Sequence, residues 1–161
     1  MTDLPDASLV ARFDVQTWSE ESAPRFAAAY APAFSDRPGF PGWSEHEWIE
    51  HVTANDLVPD WSLLANIDDK PAGFVIACTD SSLDPPGGYV WQVGVVASER
   101  GAGIGSGLMV ESMKRMKAAG ARWVDLTVHT DNPRAIHVYE RLGFAVVGRR
   151  ARYGRLPREE N

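Results

Sequence analysis

Val93-Gly94-Val95-Val96-Ala97-Ser98-Glu99-Arg100-Gly101-Ala102-Gly103-Ile104-Gly105-Ser106-Gly107 is the stretch on which the fold turns. The β-branched run over residues 90–96 predicts a buried strand, and residues 108–116 predict a helix. Between them lies a glycine-dense turn. The first turn of a helix leaves about four N–H groups unpaired and carries roughly half a positive charge. Glycines before it let a bulky anion approach the main chain, so strand, loop and helix together predict a phosphate site. Arg100 brings a guanidinium fork to the same turn, either for phosphate or to order the loop. The pattern is not a P-loop, because no lysine follows the glycines. Nor is it the dinucleotide fingerprint, whose last glycine is replaced by Ser106 in one register and Leu108 in the other.

The chain has 161 residues, 44% apolar and 24% charged, which suits one domain with one core. No apolar run reaches the roughly 18 residues of a membrane helix, so no membrane partner is expected. The opening Met-Thr-Asp-Leu-Pro-Asp shows no basic or apolar leader pattern, and a cytoplasmic protein is expected. Cys78 is the single cysteine, which excludes an internal disulfide, and its apolar run predicts a small buried hydrophobe. The net charge of −6 hides a division, with −12 over residues 1–99 and +6 over residues 100–161. An acidic front half argues against nucleic acid and fits a cationic acceptor, while the basic back half fits a polyphosphate.

Taken in order, residues 7–15 predict a strand and residues 18–34 a helix capped by Thr17 or Ser19. A second helix starts at Ser44, whose capping box is completed by Glu47. Residues 61–65 and 72–79 form a hairpin around the polar turn 66–70, and strand 89–96 leads into the glycine loop and the helix over 103–118. Gly120 closes that helix. Residues 122–130 predict a strand, Asp131 or Asn132 caps a helix with Pro133 first, and residues 144–152 predict a last strand. The order is β-α-α-β-β-β-α-β-α-β.

Arg100, Gly103 and Gly105 fit Arg-x-x-Gly-x-Gly, which resembles the pyrophosphate motif of the GNAT superfamily of N-acetyltransferases. A second motif supports it: Leu126-Thr127-Val128-His129-Thr130-Asp131-Asn132-Pro133-Arg134-Ala135-Ile136-His137-Val138-Tyr139-Glu140-Arg141-Leu142-Gly143-Phe144 resembles the family's C-terminal motif. The resemblance is specific over residues 73–148. It implies a single α/β (α+β) domain of GNAT fold, with a mixed, mostly antiparallel sheet and about four helices. The acceptor side would be residues 1–88 and the acetyl-coenzyme A core 89–152.

The same resemblance implies site residues. Val93, Val95 and Val96 would run beside the pantetheine arm, with an N–H near Val95 or Val96 polarising the thioester oxygen. The N–H groups of Gly101, Ala102, Gly103, Ile104, Gly105 and Ser106 would cradle the pyrophosphate, with Arg100 and Asn132 beside them. Tyr139 would be the general acid, its phenol being protonated at neutral pH. Several relatives carry a glutamate base on the strand before the loop, where this chain has Tyr89. The base is therefore unassigned among Glu45, Glu47, His46, His51, Asp80 and His129.

Trp43, Glu45, Trp48, Asp80, Tyr89, Trp91 and His129 are the candidate acceptor-binding residues, an aromatic and acidic mix suited to a cationic amine. Acetyl-coenzyme A is the expected co-substrate, with no metal, and a homodimer is compatible with the family. Two alternatives stand beside a small-molecule N-acetyltransferase. One is a peptide N-terminal or lysine acetyltransferase; the other is a non-catalytic acyl-coenzyme A sensor.

Overall fold

The structure is a computed structural model and describes residues 13–80 and 86–151. Its elements are β1 (Asp14–Thr17), α1 (Ala23–Phe34), α2 (Glu45–Thr53), β2 (Leu63–Ile67), β3 (Lys70–Asp80), β4 (Gly87–Val95), α3 (Ile104–Ala118), β5 (Val124–Leu126) and α4 (Pro133–Arg141). The five strands form one sheet in the order β1-β2-β3-β4-β5, antiparallel throughout except for the parallel β4–β5 pair. This is the mixed, mostly antiparallel sheet that the family resemblance implies.

Local chemistry accounts for most boundaries. Ser44 caps α2 with both halves of the capping box formed, as expected. The β2–β3 turn rests on Asp68 and Asp69, both with positive φ (48° and 60°), the left-handed pair that a two-residue hairpin needs. Arg25 of α1 then ties that turn down through Asn66 Oδ1, the Asp69 carbonyl and Asp69 Oδ1. The first helix begins later than expected. Ser22, not Thr17 or Ser19, is its N-cap, because Ser19 and Ser22 bond each other in a preceding turn. The first expected strand narrows to β1, and its residues 7–12 lie outside the described residues.

The expected last strand does not form. Residues 144–151 carry no strand ladder among the described residues, and Arg152 lies outside them. Val146 and Val147 are 73% and 88% exposed. A β-branched run becomes a strand when it finds a partner and a surface to bury against. Here the neighbouring edge strand, β5, is only three residues long.

The sheet separates two apolar clusters. One face packs Leu63, Ala65, Val75, Ala77 and Val90 against α3. The other packs Leu64, Phe74 and Ile76 against α1 and α2. Trp48, expected as a wall of the acceptor pocket, is 0% exposed within this second cluster, with its indole N–H donated to Gln92 Oε1 at 3.1 Å. It is a core residue. Against β4, α1 sits so close that a Cβ on Gly94 would lie 2.9 Å from Phe34 Cζ. Arg100 locks the same corner: its guanidinium donates to the Asp36 carboxylate, the Ala33 carbonyl at 2.9 Å and the Val95 carbonyl at 3.2 Å.

Two predictions follow from this packing. Trp48→Ala should lower stability by about 3–5 kcal/mol in urea unfolding, a loss too large for a surface wall. The Arg100 hydrogen bond holds the Asp36 carboxyl below its usual range. A depressed carboxylate contributes stability above its unfolded pKa, near 3.9, and loses it as pH falls below that value. Asp36→Asn should therefore be less stable than the parent at pH 7, and the gap should close below about pH 4.

Candidate active site

Strand β4 is paired on both sides only at its start. Gly88, Tyr89 and Val90 pair with Val124, Asp125 and Leu126 of β5, and after Leu126 the chain leaves the ladder for α4. On the other side β3 continues to Gly73–Val95. Val96 N–H donates to the Ala72 carbonyl at 2.9 Å. Alternation along an antiparallel ladder then turns the N–H groups of Val93 and Val95 away from β3, into the gap. Val96, expected as a possible oxyanion donor, already spends its N–H in the sheet. The Val95 carbonyl is taken by Arg100.

At the end of β4 the chain turns through Gly101 (φ 88°) and Gly103 (φ 83°), the left-handed region where side chains are strained. Gly103 is the N-cap of α3, so no side chain caps this helix, and its first turn holds no acidic residue. Gly107 N–H makes an early helical bond, to the Gly103 carbonyl at 2.9 Å. The N–H groups of Ile104, Gly105 and Ser106 precede it and face out of the helix end. Ile104 buries its side chain (2% exposed), so its contribution to any ligand is its backbone alone. Arg100 does not point a free fork at this loop, since its guanidinium is committed to Asp36, Ala33 and Val95.

Across the gap, Asn132 caps α4 by accepting from Ala135 N–H at 3.2 Å, with Pro133 in the first turn. Tyr139 is half-buried on this helix, its ring 6.0 Å from that of Phe144. Burial raises its phenol pKa, and the Arg37 cation opposes that rise. Arg37 lies 4.0 Å over the Phe34 ring, on the α1 side of the gap.

Only part of the expected acceptor set is brought together. Trp43, His51 and Trp91 form a row, with ring centroids 4.0 and 4.8 Å apart. Trp91 is the extra residue of a bulge in β4, since Val90 pairs with Ala77 and Gln92 with Ile76. A cleft of about 260 Å³ beside it is lined by Ala54, Asn55, Asp56, Cys78, Tyr89 and Trp91. Tyr89 also donates to Thr127 Oγ1 at 3.0 Å, bridging β4 to the segment beyond β5. Burial raises the Cys78 thiol pKa, and the charge of Asp80, at the end of β3, raises it further. Glu45 is exposed on the first turn of α2, and His129 is 85% exposed, 3.7 Å from Asp131; neither lines the cleft. Asp56 does, and the sequence reading missed it. Its one signal there is Asn55-Asp56 after a helix, a pair that tolerates the left-handed φ of 49° found at Asp56. Among the described residues, no three His, Cys, Asp or Glu side chains gather to hold a metal. Nor is any described helix long and apolar enough to cross a membrane.

The model of the acetyltransferase (GNAT) family matches residues 15–144. A mycothiol acetyltransferase of Mycobacteroides abscessus is 32% identical over 96% of this chain, which covers 53% of that protein. An L-2,4-diaminobutyric acid acetyltransferase of Nocardia farcinica is 34% identical over 57% of this chain and 45% of its own. The chain thus spans about half the length of the curated relatives it matches. Among solved structures, AAC(6')-Iy with a coenzyme A bisubstrate analogue superposes with a TM-score of 0.72 at 18% identity, covering 90% of this chain and 99% of that one. That likeness carries the fold, and the family match extends from β1 through α4 to Phe144. The chain belongs to the GNAT acetyltransferase family.

Proposed function

We propose that the protein transfers an acetyl group from acetyl-coenzyme A to the primary amine of a small cationic molecule. The observation that carries this reading is an uncapped, glycine-led helix N-terminus set directly after a strand with an open edge. The helix end offers N–H groups and positive dipole to a pyrophosphate, with no acid of the first turn to compete. The open edge offers backbone amides to an extended arm.

When bound, acetyl-coenzyme A supplies the acetyl group as an activated thioester. The N–H groups of Gly101, Ala102, Gly103, Ile104, Gly105 and Ser106 hold its pyrophosphate, while Arg100 keeps their loop in shape. Asn132 orders the start of α4 on the far side. Val93 orients the arm. Val95 N–H, unlike that of Val96, is free of the sheet and polarises the carbonyl oxygen, a contribution of about 3 kcal/mol. Tyr139 Oη, whose ordinary pKa near 10 burial raises further, holds its proton at neutral pH and gives it to the departing sulfur, while the proton shed by the attacking nitrogen returns to Tyr139 through solvent. A small cationic acceptor is supported by the aromatic row Trp43–His51–Trp91 and by Asp80, whose charge acts on Cys78 in the cleft wall. The relative named for L-2,4-diaminobutyric acid also supports a small-molecule acceptor.

Calorimetric titration with acetyl-coenzyme A should show micromolar binding, and Gly103→Val should abolish it, because a β-branched residue cannot take φ 83° without strain. Absence of binding by the parent protein would reject the donor. An amine panel then tests the acceptor: acetylation of peptides alone would select a peptide acetyltransferase, and binding without any turnover would select a sensor. Tyr139→Phe should lower kcat by about 10²–10⁴-fold while leaving acetyl-coenzyme A affinity within twofold. Unchanged kcat would remove Tyr139 from proton transfer.

A further inference from the structure

The cleft beside the β4 bulge gathers one carboxylate, Asp56, with the aromatic side chains of Tyr89 and Trp91. Helix α2 ends at its rim: Ala54 is the C-cap and Asn55 follows, its side-chain amide donating to the His51 carbonyl at 3.0 Å, so the partly capped carbonyl end of the helix lies beside the cleft. Asp56 comes next, and among the described residues its carboxylate has neither an ion-pair nor a hydrogen-bond partner. Its backbone is held at φ 49°, a conformation that costs energy for a residue other than glycine, asparagine or aspartate. Trp91 and Tyr89 give aromatic walls, and Cys78 gives a buried thiol whose pKa burial, Asp80 and Asp56 all raise. No Lys or Arg lines the cleft. A negative helix end, a free carboxylate and an indole face all favour one kind of occupant, an ammonium group.

Position along β4 refines this. Trp91 directly follows Val90, the last β4 residue paired to β5, and precedes Val93 and Val95 by two and four residues. At about 3.3 Å per residue those N–H groups lie on the order of 7–13 Å from the cleft wall. An ammonium held at Asp56 is therefore separate from the nitrogen that is acetylated beside Val95.

We propose that Asp56, with Trp91 and Tyr89, binds a second, non-reacting ammonium of the acceptor, so that the enzyme selects di- or polycationic amines. Asp56 is then a specificity-determining residue. This inference rests on the acetyl-transfer reading above, and its test keeps the two apart.

The test compares 1,6-diaminohexane with hexylamine, on the parent protein and on Asp56→Asn. Asparagine accepts the same left-handed backbone, and acetyl-coenzyme A affinity within twofold of the parent confirms that the variant is folded. The parent should favour the diamine at least tenfold in kcat/KM, chiefly through KM. The preference should fall below threefold in Asp56→Asn, with hexylamine turnover unchanged. An equal preference in both proteins, or none in the parent, overturns the proposal. Failure of the acetyl-transfer reading would show instead as no turnover of either amine by the parent. In that case calorimetry with 1,6-diaminohexane alone decides: binding at least tenfold weaker in Asp56→Asn supports the cleft assignment, and equal or absent binding overturns it. Trp91→Leu serves as a second variant and should weaken the diamine in the same assays, while Asp60→Asn, on the neighbouring turn, should not.

Discussion

Beyond Val90, strand β4 keeps β3 on one side and loses β5 on the other, and this one-sided pairing shapes the rest of the site. A backbone N–H that faces neither a ladder nor water needs a partner. In β4 the sheet supplies it for Val96, and Arg100 supplies one for the Val95 carbonyl. The outward N–H groups of Val93 and Val95 are left for whatever enters the gap. The parting follows from sequence length: β5 is three residues, Val124 to Leu126, before the chain turns toward the Asn132 cap. A longer β5 would zip the gap shut and bury the groups on which an extended ligand depends.

Arg100 shows how one side chain can be mistaken for a ligand contact. A guanidinium beside a glycine loop suggests phosphate binding, yet here it joins the end of α1, the end of β4 and the loop itself. A buried or half-buried arginine needs its donors matched, and Asp36, Ala33 and Val95 match them. In the proposed function the loop would therefore bind an anion with backbone N–H groups alone. Those groups are fixed by φ at Gly101 and Gly103, and the Arg100 contacts keep the loop from collapsing around them.

Much of this was legible in the sequence, because short-range chemistry decides it. The Ser44–Glu47 capping box, the Asp68-Asp69 turn and the Asn132-Pro133 start of α4 each satisfy their own backbone within a few residues, and the glycines of the loop carry their own positive φ. What stayed hidden depends on distant partners. Residues 144–151 have strand-like composition but find no strand to pair with among the described residues. Trp48 looked like a pocket wall because nothing in the sequence shows that Trp18, Tyr30 and Phe74 surround it. Asp56 looked like an ordinary loop acid; only the fold brings it beside Cys78, Tyr89 and Trp91, from two other strands.

The charge division along the chain gains a physical meaning once the sheet is in place. Residues 1–99 carry the excess acid and supply α2, Asp56 and Asp80 on one face of β4; residues 100–161 carry the excess base and supply α3 and α4. A polyanionic donor and a cationic acceptor, if brought through one opening, would attract each other before either was aligned. In the proposed reaction the two would approach from opposite faces, each toward the half of the chain whose net charge is opposite to its own. They would come into contact only where β4 and β5 part. On that reading the nitrogen and the thioester would meet at a backbone edge that carries no net charge of its own. Local dipoles there, the outward N–H groups above all, act on the reacting atoms without competing with the charges that delivered them.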